Sequence, residues 1–157
     1  MTPEDAARLA ELLLGQRVVA LGVVVEGAPI VGLLPYAVAD DRRALVVQAS
    51  ALARHSRGLV AGAAWSGMIH EPDDGAVDPL RIPRLQLEGV VEPVGGQHPE
   101  FQASARAFLK CFPQAAATLQ LGDFSLYRLE LHAGRMVLGF GRAINLSRDH
   151  FDGIPRS

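Results

Sequence analysis

Ser50, Arg54, His55, Ser56 and Arg57 stand within one short segment, SALARHSRGL, running from Ser50 to Leu59. Two hydroxyls and two guanidiniums so close together are donors suited to a phosphate group. The segment follows an apolar run, Ala44 to Ala49 (ALVVQA). It therefore reads as the passage from a strand into a short helix over about Leu52 to Ala61. A helix start offers free backbone N–H groups and the positive end of the helix dipole. Arginine adds a planar fork of donors that matches phosphate oxygens. A plainer reading fits the same residues: Ser50 as a helix cap, with Arg54 and Arg57, three apart, on one solvated face.

Other chemistry is sparse. The single cysteine, Cys111, excludes an intrachain disulfide and a cysteine metal cluster. Within FLKCFP it is expected to be a small buried hydrophobe, compatible with a reducing, cytoplasmic setting. His70, His98, His132 and His150 lack metal-ligand spacing and are expected at the surface. No paired carboxylates or Ser-His-Asp arrangement stands out. The GFG of LGFGRA is not a dinucleotide fingerprint, because no helix follows it.

The chain has 157 residues, 49% of them apolar, and a formal charge of −2. That length suits one domain, 1–157, with a sizeable core. The charge argues against a strongly basic nucleic-acid binder and gives no reason to expect an anionic membrane surface as partner. The start, MTPEDAARLAELLLG, is acidic and broken by Glu11, unlike a secretory signal. No apolar run is long enough to span a bilayer.

The elements that must position the segment follow from periodicity. Thr2, Pro3 and Glu4 open a helix whose Leu9, Leu12 and Leu13 share a face. Arg17 to Glu26 is β-branched and reads as a strand. Glu26-Gly27-Ala28-Pro29 turns it into Ile30 to Val38, and Asp40-Asp41 turns that into Ala44 to Ala49, giving an antiparallel meander. Ala64 to His70 and Arg84 to Val94 are further strands, with Gly89 marking a bulge or a close backbone approach. Pro99 to Phe112 carries a helical apolar stripe. Phe124 to Leu131 alternates as a strand, His132 to Arg135 is expected to turn, and Met136 to Ile144 is expected to close the set. Strands outnumber helices and come in runs. The expected class is mainly β (α+β), an antiparallel six- to seven-stranded barrel with peripheral helices.

Four segments, GAPIVGLLPYAV, SALARHSRGL, RLQLEGVV and LGFGRA, occur in an order that resembles the FMN-binding split-barrel flavoproteins related to pyridoxamine 5′-phosphate oxidase. The branch that includes haem-utilisation proteins is the most similar. The resemblance implies a homodimer with FMN in clefts between subunits and a flavin-dependent oxidoreductase acting on a small molecule. It places Pro35 and Tyr36 beside the flavin, Tyr36 having a core or interface role as its alternative. It places Ser50, Arg54, His55, Ser56 and Arg57 at the phosphate, and Arg84 near the ring. Gly139, Phe140 and Arg142 would reach the partner subunit's flavin. Two positions depart from the pattern: Gly32 stands where a hydroxyl residue is common, and Gly58 where asparagine is common. The residues that hold the substrate phosphate in true pyridoxamine phosphate oxidases have no match. Two alternatives stay open, a haem-binding or haem-degrading protein in which His150 contacts the iron, and a split-barrel dimer without flavin.

Overall fold

A computed structural model describes residues 1–155. The first helix, α1 (Pro3–Gly15), is held by a capping box: the Thr2 hydroxyl accepts from the Asp5 N–H at 3.2 Å, and the Asp5 carboxylate accepts from the Thr2 N–H at 3.0 Å. Its buried face, Leu9, Leu12 and Leu13, enters the barrel core. Each of these side chains contributes roughly 1.5–3 kcal/mol by leaving water. Tyr36 ties the helix end down by donating from its hydroxyl to the Leu13 carbonyl at 2.7 Å.

Seven antiparallel strands follow: β1 (Val18–Val25), β2 (Ala28–Val38), β3 (Ala44–Ser50), β4 (Ala64–His70), β5 (Arg84–Val94), β6 (Phe124–Val137) and β7 (Ala143–Ser147). Their order is β3-β2-β1-β4-β5-β6-β7, and a β3–β6 pairing closes the first six into a barrel. The meander β1-β2-β3 is as the sequence implies. Its first turn is a two-residue hairpin with Glu26 at φ 52° and Gly27 at φ 79°, the backbone twist that tight hairpins require. The fold is mainly β, a six-stranded barrel with a seventh strand and four helices.

The length of β6 departs from expectation. The chain does not turn at His132–Arg135; β6 runs straight through it, pairing first with β3 and then with β7. The turn comes later, over Leu138 to Arg142, where Gly139 and Gly141 have φ of 113° and 79°. Thus LGFGRA is mostly a turn rather than a strand. Its glycines supply positive φ at low cost.

Two further helices, α2 (Phe101–Cys111) and α3 (Ala115–Leu119), cover the outer side of β3 and its neighbours. Phe108 and Phe112, with ring centroids 5.0 Å apart, pack there with Val46, Val94 and Leu126. Cys111 lies on the exposed side of α2, not in the core, because the buried stripe is filled by Phe108 and Phe112. A last helix, α4 (Arg148–Asp152), returns Phe151 and Ile154 to the barrel core. Among the described residues no helix is long and apolar enough to cross a membrane.

Candidate functional site

The SALARHSRGL segment folds as a five-residue 3-10 turn, Arg54–Gly58, rather than a helix from Leu52 to Ala61. Ser50 does not cap it; the residue before it is Ala53, whose side chain makes no cap bond. The reason is close packing on β1. A Cβ at Gly58 would stand 2.8 Å from Val23 Cβ and 3.0 Å from the Val24 carbonyl oxygen. No side chain fits there unless its neighbours move, which accounts for glycine where the family pattern has asparagine. A turn this short carries little dipole, so the dipole contribution expected at this segment is lost.

The hydroxyls are engaged internally. Ser56 donates to the Ser50 carbonyl at 2.6 Å. Ser50 donates to the Asp123 carboxylate at 3.2 Å and accepts from the Leu52 N–H at 3.2 Å. The cations are open: Arg54 is exposed, and Arg57 reaches only the exposed Glu26 carboxylate at 3.7 Å. His55 packs over Gly32, where a Cβ would fall 2.5 Å from His55 Nδ1. The imidazole thus occupies the space a hydroxyl side chain at position 32 would need. Burial holds the His55 pKa below its ordinary value.

The other expected residues lie elsewhere. Pro35 is exposed beside Arg17, Gln48 and Thr118. Tyr36 takes its core alternative: the residue is 2% exposed, and its hydroxyl is bonded inside to the Leu13 carbonyl. Burial pushes its hydroxyl pKa up. Arg84 donates to the Leu80 and Ile82 carbonyls at 3.2 and 3.1 Å, fastening the loop before β5. Arg142 pairs with Asp5. Arg84 pairs with His70, in register with the Val18 end of β1, whereas the 3-10 turn packs on Val23 and Val24. That is a separation of roughly 16 Å along the strand. Within one chain these residues do not gather around a single pocket.

The surface that is shaped for a ligand lies on the outside of β1, β2, β4, β5 and β6. It is an open groove of two lobes, about 640 and 630 Å³, which share Gly22, Val31, Ser66 and Glu88. Both volumes fall in the range of small-molecule sites. Small residues make the floor: Ala20, Gly22, Ser66 and Gly67. Its apolar wall is unusually bare, with Val31 73% and Val24 62% exposed, and Leu33, two residues from Val31 on the same face of β2, is 71% exposed. Arg57 stands at the hairpin tip, two residues beyond the Val24–Pro29 pair that bounds one end.

One groove residue was not foreseen. Gly89 pairs with Leu131 and Glu88 with Ala133, leaving His132 as the extra residue of a bulge in β6. The bulge resets the alternation, so Leu131 and Met136, five apart, both face the core. Gly89 permits it: a Cβ there would lie 1.7 Å from the Glu130 carbonyl oxygen, which accepts from the Trp65 indole N–H at 3.2 Å. His132, the unpaired residue, is exposed on the groove beside Glu88. The sequence signal was the break in alternation at His132, which reads equally as a turn.

Other histidines are engaged. His70 Nδ1 lies 2.7 Å from the Glu71 carbonyl, His98 pairs with Glu92 at 3.1 Å, and His150 Nδ1 accepts from the Ser147 N–H at 2.9 Å. His150 thus helps cap α4. Among the described residues no group of three His, Cys, Asp or Glu is placed to hold a metal ion.

No known protein-family profile matches the chain, and no curated protein matches it. Solved structures do. A haem-binding protein from Mycobacterium smegmatis is 27% identical with a TM-score of 0.82, covering 97% of this chain and 61% of that one. HutZ, the haem storage protein of Vibrio cholerae, is 25% identical with a TM-score of 0.70, over 80% of this chain and 89% of that one. A Clostridium acetobutylicum protein of the pyridoxinephosphate oxidase family, related to general stress protein 26, is 15% identical with a TM-score of 0.69, over 96% and 99%. The chain is a split-barrel protein. It spans about three-fifths of the length of the Mycobacterium smegmatis haem-binding protein. The fold implied by the four segments is therefore present. As a split barrel, the chain puts its groove on the outer sheet face, with Arg57 at the hairpin tip beyond one end.

Proposed function

We propose that this split-barrel protein is a haem-binding protein that works as a homodimer, with the ligand in the outer groove at the seam between two copies. The observation that carries the reading is the groove itself: a long apolar trough floored by Ala20, Gly22, Ser66 and Gly67, with the open cation Arg57 at the hairpin tip beyond one end. A flat macrocycle with anionic side chains needs an apolar bed and cations at its margin, and the donor set fits that need. The named haem proteins at 25–27% identity support the same choice. The exposed Val24, Val31 and Leu33 support a second copy, since contiguous apolar surface of this kind is usually covered. Haem, when bound, supplies iron redox chemistry; the chain supplies the bed, the cations and the exclusion of water.

FMN, with a flavin-dependent oxidoreductase activity, is the second reading. Two exposed guanidiniums, Arg54 and Arg57, favour it, and the order of the four segments agrees. Against it stand the engaged hydroxyls of Ser50 and Ser56 and the Asp123 carboxylate bonded to Ser50. A phosphate would meet two arginines rather than a full cradle.

The test is the visible spectrum of the purified chain, titrated with haemin and separately with FMN, alongside its mass by analytical ultracentrifugation. A Soret band that saturates at a fixed ratio, on a dimer, supports the proposal. Retention of FMN and not haemin selects the flavin reading. A chain that retains neither overturns both.

A further inference from the structure

We infer that His132 is the residue whose imidazole nitrogen would bind the iron of a haem held in the groove, an assignment that rests on the haem reading above. Five histidines are present. His55 is packed on Gly32, and His70, His98 and His150 have partners. His132 is exposed, and among the described residues its ring makes no hydrogen bond or ion pair. It is also the one that lines the groove.

Its position is built rather than incidental. In an unbroken strand residue 132 would already face outward, because Leu129 and Leu131 face the core; the bulge leaves it as the extra residue outside the regular pairing. The bulge makes His132 and Ala133 consecutive outward residues. Bulges leave one residue outside the regular ladder and are over-represented beside functional sites. This one is locked by the absence of a Cβ at Gly89 and by the Trp65 bond to the Glu130 carbonyl. The fold thus holds an unpartnered imidazole on an apolar trough, where a neutral ring nitrogen is a good ligand for iron.

The surroundings suit the role. Glu88, paired across the strands with Ala133, is the groove's carboxylate and stands next to the bulge. Ligating imidazoles commonly give their second N–H to such a group. Arg135 lies three residues along the same strand in the adjoining lobe, its guanidinium bonded to Asn145 Oδ1 at 2.8 Å. That is roughly 10 Å from the bulge, and it offers a second cation for an anionic ligand margin. Val24, Ile30 and Val31 supply the apolar bed.

The experiment titrates the full chain with haemin and reads the Soret band, the iron–imidazole stretch by resonance Raman, and Kd. His132→Ala should lose the nitrogen signature and bind at least about tenfold more weakly, the loss expected of even an outer partner of a metal. Added imidazole should restore the signature, and His150→Ala should not disturb it. If His132→Ala keeps the wild-type spectrum and affinity, the assignment to His132 falls and the haem reading stands. If the wild-type chain shows no Soret band, both fall. Should the alanine variant not fold, the wild-type chain with zinc protoporphyrin decides: a ring-current shift of the His132 Cε1–H supports the ligand, and an unmoved resonance overturns it.

Discussion

Gly89→Ala is the sharpest perturbation of the barrel. The added Cβ would sit 1.7 Å from the Glu130 carbonyl oxygen and 2.8 Å from its carbon. Ordinary contact between heavy atoms is about 3.5–4.0 Å, so the first distance is about half of what is tolerable. The obstacle is backbone in the partner strand, not a side chain that can rotate away. β5 and β6 must therefore part locally. The Trp65 N–H loses the Glu130 carbonyl, and a buried donor left unpaired costs about 1–3 kcal/mol. Strain and the disturbed ladder add to this, for a total of roughly 3–5 kcal/mol. That is a large share of the 5–15 kcal/mol typical of a domain. The assay is urea unfolding followed by the emission of Trp65, the only tryptophan. Gly95→Ala and Gly122→Ala, where nothing lies within 4 Å of the new Cβ, are the controls. They should shift stability by no more than about 0.5 kcal/mol destabilising. If Gly89→Ala unfolds at the wild-type urea concentration with unchanged emission, the close approach of the two strands is wrong, and with it the account of the bulge.

Glu26→Asn should stabilise the chain by about 1 kcal/mol in urea unfolding, because residue 26 has φ 52° and asparagine tolerates that region better. Arg128→Ala should destabilise by roughly 3 kcal/mol in the same assay, since a buried guanidinium that bonds Asp41 at 2.8 Å and Glu130 at 2.9 Å would leave carboxylates without their cation. Burial raises Asp41, but the Arg43 N–H and Arg128 outweigh it, and its pKa is lowered in the fold. Its contribution is therefore present above the ordinary carboxylate pKa and is lost as pH falls through the lower, folded value. Unfolding midpoints of wild type should fall in that window, and those of Arg128→Ala should fall less. Gly32→Ser must displace the His55 ring, so the His55 pKa read by NMR should rise toward its ordinary value. An unchanged titration would refute the packing of His55 over Gly32. In wild type the lowered His55 pKa makes stability decline as pH falls below about 6.5.

Local chemistry carried much of the fold in the amino-acid sequence. Thr2, Pro3 and the leucine face of α1, the β-branched run of β1, the Glu26-Gly27 hairpin and the apolar stripe of α2 each depend on neighbours in the chain, so each was legible there. Gly89 was legible as a bulge or close approach, and the order of four segments was enough to imply a split barrel. Contacts distant in sequence were not. Whether Ser50 caps a helix or bonds Asp123 depends on where β6 begins, 73 residues away. Whether Arg142 faces a ligand or Asp5 depends on α1 lying beside the last turn, 137 residues away. Gly32 and Gly58 looked like missing polar contacts, yet each makes room for a neighbour, His55 in one case and β1 in the other. His132 shows the division most clearly. Its residue type was visible, but its meaning comes from a one-residue slip between β5 and β6. Periodicity along a strand records which face a residue takes while pairing is regular. Only the tertiary structure decides where that regularity breaks, and here the break leaves His132 outside the regular pairing, on the groove.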